Sequence, residues 1–259
     1  MSTSFLEVNN LTKDFGGLKA VDNVTFNVRR DEMVGLIGPN GAGKTTIIRL
    51  VTSILKPTFG TVKFKGKTIS GRGIWKIVNA GIASTFQVVK PFRNLPVITN
   101  VMVSCLSSRA KRKGDWVKTV EQRALDALEF CGIADLASEP ASVLSHGDLK
   151  RLELARAIAT EPELLLLDEP FGGLNPAETT LIAKSLSRLH KGGRFGRLHS
   201  EGPAMVIVEH KLTELMKIVD KIVVINFGQV IAIGTPEEVV KNKDVVEAYI
   251  GKEVKQLVS

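Results

Sequence analysis

The chain predicts an α/β fold built on a buried parallel sheet, and three features carry that expectation. Short, mostly apolar runs recur at Met33 to Gly38, Leu164 to Leu167, Met205 to Glu209 and Lys221 to Asn226, each the length of a buried strand. Helical segments separate them, the alternation expected of α/β architecture. The first run opens into a glycine-rich loop, Gly38-Pro39-Asn40-Gly41-Ala42-Gly43-Lys44-Thr45, and then into an apolar-periodic stretch reaching Leu55, the order strand, loop, helix.

The first 35 residues follow a different pattern. Leu6 and Val8, then Val24, Phe26 and Val28, alternate with polar neighbours, which predicts antiparallel strands and a small β-subdomain. Thr61 to Phe64 reads as a further strand and Ile82 to Phe86 as a short one, ahead of the turn residues Pro91 and Pro96. From Thr99 to Thr160 the pattern is helical, with Val120, Ala124, Leu125 and Leu128 at i, i+4, i+5 and i+8. The four leucines from Leu164, bounded by Pro162 and Pro170, suit the centre of a parallel sheet. Lys191 to Pro203, where four glycines accompany Lys191, Arg194 and Arg197, reads as a flexible basic loop. No repeat is apparent, and each glycine-rich or acidic motif occurs once.

Composition excludes several classes. With 44% hydrophobic and 24% charged residues the chain is neither disordered nor collagen-like, and 259 residues can bury a sizeable core. Its apolar runs fall well short of the ~20 residues a spanning helix needs. Met1-Ser2-Thr3-Ser4 begins no secretory leader, so a cytosolic location is expected. Cys105 and Cys131 lack metal-ligand spacing and read as free, packed thiols. The net charge of +8, part of it at Arg109, Lys111, Arg112 and Lys113, suits nucleic acid or anionic lipid, and equally a solvated surface loop.

The glycine-rich loop matches the phosphate-binding pattern G-x-x-x-x-G-K-[ST] in the strand-loop-helix context it requires. Glycines let amides turn inward, and the helix that follows points its positive end at phosphate. Gly38, Asn40, Gly41, Ala42, Gly43, Lys44, Thr45 and Thr46 are therefore candidate nucleotide contacts, with Lys44 at the β/γ-phosphates and the Thr45 hydroxyl on Mg²⁺. The second half of the site is Leu164-Leu165-Leu166-Leu167-Asp168-Glu169, a buried strand ending in adjacent carboxylates. Asp168 is expected to hold Mg²⁺, and Glu169 to polarise the attacking water.

Leu144-Ser145-His146-Gly147-Asp148 resembles the Leu-Ser-Gly-Gly-Gln signature of ABC-family ATPases, and the resemblance covers essentially the whole chain. It implies one nucleotide-binding domain over 1–259, with a phosphate-loop NTPase (RecA-like) core, an N-terminal antiparallel β-subdomain and an inserted helical subdomain. About 1–90 and 161–259 would form the core and β-subdomain, and about 91–160 the helical insertion. The resemblance further implies that Ser145 and Gly147 contact the γ-phosphate bound by a second ATPase subunit, identical or paralogous. Gln87 matches the glutamine that approaches Mg²⁺, His210 the switch histidine at the γ-phosphate, and Phe15 the aromatic that stacks on adenine, a core role being the competing reading. Departures are His146 for glycine, Asp148 for glutamine and Asn175 for the usual aspartate. The Asp148 carboxylate is expected to point away from the phosphates, and His146 to be partly exposed at the subunit interface.

Phe15-Gly16-Gly17, Pro91-Phe92-Arg93-Asn94-Leu95 and Phe171-Gly172-Gly173-Leu174-Asn175-Pro176 look most like ATP-binding subunits of LivG-type branched-chain amino-acid importers. That resemblance implies ATP and Mg²⁺ as ligands, permease subunits as partners, indirectly a substrate-binding protein, and a peripheral position on the cytoplasmic face of the membrane. Urea and lipopolysaccharide-transport relatives share these phrases with variations. A nucleic-acid-associated ATPase would be expected to carry two cassettes or a long coiled-coil insertion, so no nucleic-acid partner is expected. A nucleotide-binding regulatory module without turnover is a further alternative, opposed by Lys44, Asp168, Glu169 and His210.

Overall fold

A computed structural model describes residues 4–85, 90–107, 120–192 and 202–248. The chain forms two compact units, Met1–Ile77 with Ala204–Ser259, and Val78–Pro203. The first begins with β1 (Leu6–Asp14), β2 (Lys19–Val28), β3 (Met33–Ile37), α1 (Lys44–Val51), β4 (Phe59–Phe64) and β5 (Lys67–Thr68). After α2 (Ile74–Ala80) come β6 (Ile82–Ser84), α3 (Val97–Cys105), α4 (Val120–Cys131), α5 (His146–Ile158), β7 (Leu164–Asp168) and α6 (Pro176–His190). The chain then returns to the first unit with β8 (Ala204–Val208), α7 (Leu212–Met216), β9 (Lys221–Asn226), β10 (Gln229–Gly234), α8 (Pro236–Lys241) and α9 (Lys243–Ala248). Among the described residues no helix is long and apolar enough to cross a membrane.

In the first unit the alternating N-terminal residues form the antiparallel sheet β2-β1-β4-β5. Leu6 pairs with Val28, Val8 with Phe26 and Leu11 with Val24, so one face of β1 and β2 is apolar and buried. Between Val8 and Leu11 the register slips, and Asn10 there has φ 48°. A side chain at Gly60 would run into the Asn10 carbonyl, so β4 passes this bulge through a glycine.

A parallel sheet places β3 between β8 and β9, with Leu36 facing Val208 on one side and Val223 on the other. Every residue of β3 and β8 is buried, which is why these runs lack alternation. Polar clamps fix where the strands begin. Buried Glu32 accepts from the Arg29 amide at 2.9 Å and pairs with Lys221 at 2.8 Å, and Asp220 accepts from the Met33 amide at 2.8 Å. The helix expected to reach Leu55 stops at Val51: the Thr52 hydroxyl bonds back to the Ile48 carbonyl at 2.8 Å, and Ser53 adopts φ 56°.

In the second unit β6 and β7 pair in parallel, Ile82 with Leu164 and Ser84 with Leu166. The strand expected to reach Phe86 is formed to Ser84, and residues 86–89 lie outside the described set. Val97, Val101 and Cys105 of α3, Ala124 and Leu128 of α4, and Leu152 of α5 make the buried faces of the helices. Asn100 is wholly buried among them. Its side chain accepts from the Phe92 amide at 2.7 Å and donates to the carbonyls of Phe92, Leu95 and Pro96 at 3.1–3.3 Å. Most of the basic loop read over Lys191 to Pro203, and the Arg109 to Lys113 cluster, lie outside the described residues.

Both cysteines are buried and free, as their spacing suggested. Burial pushes the Cys105 thiol up to about 11, and Cys131 higher still. Because the thiolate is the nucleophile, iodoacetamide at pH 8 should label neither cysteine in the folded protein and both after denaturation, as read by intact mass.

Candidate nucleotide site

The first unit supplies the phosphate loop. It leaves the end of β3, and His210 leaves the end of β8, so both emerge at the same edge of adjacent parallel strands. A side chain at Gly38 would run into the Ile225 carbonyl, and one at Gly43 into the carbonyl of Ala20. Gly43 adopts φ 104° and is the N-cap of α1, which has no side-chain cap. Helix N-termini of this kind present unsatisfied amides to an anion. Buried Lys44 donates to the carbonyls of Gly38 at 2.6 Å and Pro39 at 2.9 Å, which holds the ammonium over the loop. Thr45 and Thr46 follow it, both half-buried.

Neighbouring turns brace this loop. The Gly228 amide donates to the Ala42 carbonyl at 3.0 Å, and the Gly228 carbonyl accepts from the Asp22 amide at 2.8 Å. A groove of ≈ 530 Å³ runs along the flank holding Asn40 and Gly41, closed by Phe227, Ile231, Asp244 and Glu247. Its two carboxylates make it unsuited to phosphate.

Phe15 is about half exposed, at 51%, so its ring is on the surface and not in the core. The turn behind it is closed by Phe15 N–H to the Leu18 carbonyl at 3.0 Å and Gly17 N–H to Asp14 at 2.9 Å. Beyond β8, buried Glu209 accepts from the amides of His210 at 3.0 Å and Lys211 at 3.4 Å. This fixes the backbone on which His210 stands.

The second unit brings Asp168, Glu169, the signature residues and Asn175 together. Buried Asp168 ends β7, its amide donating to the Thr85 hydroxyl at 3.2 Å. Gln87, two residues beyond Thr85, lies outside the described residues. Glu169 adopts φ 52°, a left-handed conformation rare outside glycine. Two donors reach its carbonyl, the Gly172 amide at 3.1 Å and the Lys150 ammonium at 3.0 Å.

Ser145 caps α5, its hydroxyl accepting from the Asp148 amide at 3.1 Å. Gly147 is buried, and a side chain there would come within 2.5 Å of Glu178. His146, exposed as expected, lies 3.0 Å from the Gly172 carbonyl through Nε2. Asn175 has a local use: it caps α6, with Oδ1 accepting from the Glu178 amide and its own amide donating to Glu178, both at 2.9 Å. The Asp148 carboxylate accepts from the Ser145 hydroxyl at 2.6 Å.

Residues 21–172 match the family model described as ABC transporter, a span that holds the phosphate loop, the signature and the Asp168-Glu169 pair. The chain belongs to the ABC transporter family. Residues 229–255 match a second model, described as branched-chain amino acid ATP-binding cassette transporter. The high-affinity branched-chain amino acid transport ATP-binding protein LivG of Salmonella typhimurium is 39% identical, over 97% of this chain and 100% of its own length. Its counterpart BraF of Pseudomonas aeruginosa is 35% identical over the same shares. Among solved structures, the ADP conformation of MJ1267, an ATP-binding cassette of an ABC transporter, superposes with a TM-score of 0.82 at 30% identity, covering 96% of this chain and all of that one. The fold is thus that of a phosphate-loop ABC cassette, and the chain is an ATP-binding and ATP-hydrolysing transporter subunit.

Sequence reading missed Lys150 and Glu209, the positioning residues behind Glu169 and His210. Both are charged side chains on otherwise buried surfaces, the one signal each offered. In this ABC subunit, Lys150→Met keeps the apolar stem and removes the donor to the Glu169 carbonyl. With Glu169 in the role the resemblance implies, a kcat about tenfold lower is expected with ATP affinity changed less than about twofold, since misplacing such a group costs turnover before binding. Steady-state ATPase kinetics and equilibrium nucleotide titration check the two separately.

Proposed function

We propose that this chain powers an ABC importer for branched-chain or other hydrophobic amino acids. The observation that carries the substrate class is the match of residues 229–255 to the branched-chain amino acid cassette model, outside the part common to ABC transporters at large. The names of LivG and BraF support the same class. The subunit works from the cytoplasmic face of the membrane with a second ATPase subunit, permease subunits and, through them, a substrate-binding protein.

In this reading Phe15 stacks on adenine, and its exposed ring suits that use. The loop backbone from Gly38 through Asn40, Gly41, Ala42 and Gly43, with Lys44, Thr45 and Thr46, holds the phosphates. Thr45, Asp168 and Gln87 offer a hydroxyl, a carboxylate and an amide oxygen, a hard-oxygen set that fits Mg²⁺. Bound there, Mg²⁺ would neutralise charge on the β/γ-phosphates. Glu169 orients the attacking water, and His210 hydrogen-bonds the γ-phosphate as charge develops on it. Ser145 and the Gly147 amide, at the start of α5, serve the nucleotide of the partner subunit, so ATP closes the dimer and hydrolysis reopens it.

Glu169→Gln removes the water-orienting carboxylate and leaves the loop intact. The variant should bind ATP, remain associated with its partner ATPase and hydrolyse at least ~100-fold more slowly; turnover at the wild-type rate would reject Glu169 as the base. Substrate class is tested in proteoliposomes containing the co-purified permease and binding protein. ATP-driven uptake of labelled leucine or isoleucine is expected, and uptake of urea in their place would assign the chain elsewhere.

A further inference from the structure

We propose that Asp148 is a carboxylate latch on the signature serine, competing with phosphate for the Ser145 hydroxyl and so setting the ATP concentration at which this half of the dimer engages. The inference rests on the reading of Ser145 as a γ-phosphate donor, and goes beyond it by assigning a role to a residue that departs from the family signature.

The geometry closes both polar functions of Ser145 on one residue. Its oxygen accepts from the Asp148 amide at 3.1 Å, the ordinary N-cap bond. Its hydroxyl lies 2.6 Å from Asp148 Oδ2. An ionised carboxylate can only accept, so the proton belongs to the serine, and 2.6 Å is the length of a charge-assisted O–H···O⁻ bond. The other carboxylate oxygen, Oδ1, lies 3.5 Å from Arg151 Nη1, one helical turn on, which orients the group toward Ser145.

A serine has one hydroxyl proton. For Ser145 to donate to a phosphate oxygen, the bond to Asp148 must break, and the incoming anion must then share one helical turn with a carboxylate. The glutamine of the family signature would carry no charge at that position. The helix start still favours an anion, but here a fixed one already occupies its serine. Ser145 is exposed and Asp148 half-buried, so solvent and salt screen the competition and its size is modest.

The cap and the latch are separable, because the cap uses the backbone amide of residue 148 and the latch uses its side chain. Asp148→Asn and Asp148→Gln therefore keep the capping bond and remove the charge. In the transporter assembly purified with its ATPase partner, both should lower the KM for ATP about three- to tenfold, with kcat changed less than about twofold. Ser145→Ala should raise KM, and adding Asp148→Gln to it should lower KM by clearly less than Asp148→Gln does when Ser145 is present. A thermal melt unchanged from wild type confirms the cap. Wild-type KM in both Asp148 variants, or a decrease equally large with and without Ser145, would overturn the latch. Should Ser145→Ala raise KM while the Asp148 variants do nothing, the latch alone falls; should Ser145→Ala also leave KM unchanged, the γ-phosphate reading beneath it falls too.

Discussion

The course of the phosphate loop depends on two places where backbone passes backbone too closely for any side chain, Gly38 against the Ile225 carbonyl and Gly43 against that of Ala20. These contacts tie the loop to β9, far away in the chain, and to β2, the strand that precedes β3. The entry to β3 is fixed in turn by Glu32 and Asp220, whose partners Lys221 and Met33 set β3 and β9 in register. An anion-binding loop must present its amides without reorganisation, since donors already aimed at a charge need not be turned toward it. Here that order is imposed by steric exclusion and buried carboxylates at the strand ends. On the other side of β3, its pairing with β8 delivers His210 to the edge from which the loop departs.

In the second unit a comparable logic works through hydrogen bonds. Glu169 occupies a left-handed conformation that its own side chain disfavours, and donors from Gly172 and Lys150 converge on its carbonyl to hold it. Lys150 belongs to the helix that begins at the signature. The carbonyl of Gly172 also lies against His146, and Gly147 packs on Glu178. The start of α5, the turn after Glu169 and the start of α6 therefore constrain one another. His146 and Asn175, both departures from the family pattern, are participants in that arrangement.

Much of the architecture was legible because buried parallel strands have an unmistakable composition. The runs at Met33, Leu164, Met205 and Lys221 all became strands within a residue or two of the expected ends. The phosphate loop and the carboxylate pair were readable for a related reason: their chemistry demands particular residue types in a fixed order. What was not read depended on local or distant geometry. The hairpin joining β9 and β10 turns on Phe227 and Gly228, at φ 45° and 78°, and phenylalanine is no turn signal. Strand β10 and helices α8 and α9 went unread with it. The end of α1 is set at Ser53, whose left-handed backbone cannot continue the helix and which periodicity does not register. Lys150 and Glu209 gave only the oddity of charge on a buried face, and the orientation of Asp148 was decided by a serine three residues earlier. Of the site itself, the residue types were visible and the supports behind them were not.

Asn100 illustrates what a single buried amide can do mechanically. Its side chain holds one N–H and three carbonyls of the segment from Phe92 to Pro96, while its backbone is part of α3. A segment gripped in that way cannot flex independently of the helix. A push applied at the exposed rings and methyls of Phe92 and Leu95 is therefore delivered to α3 as a whole-body displacement, with little of it dissipated in bending the loop.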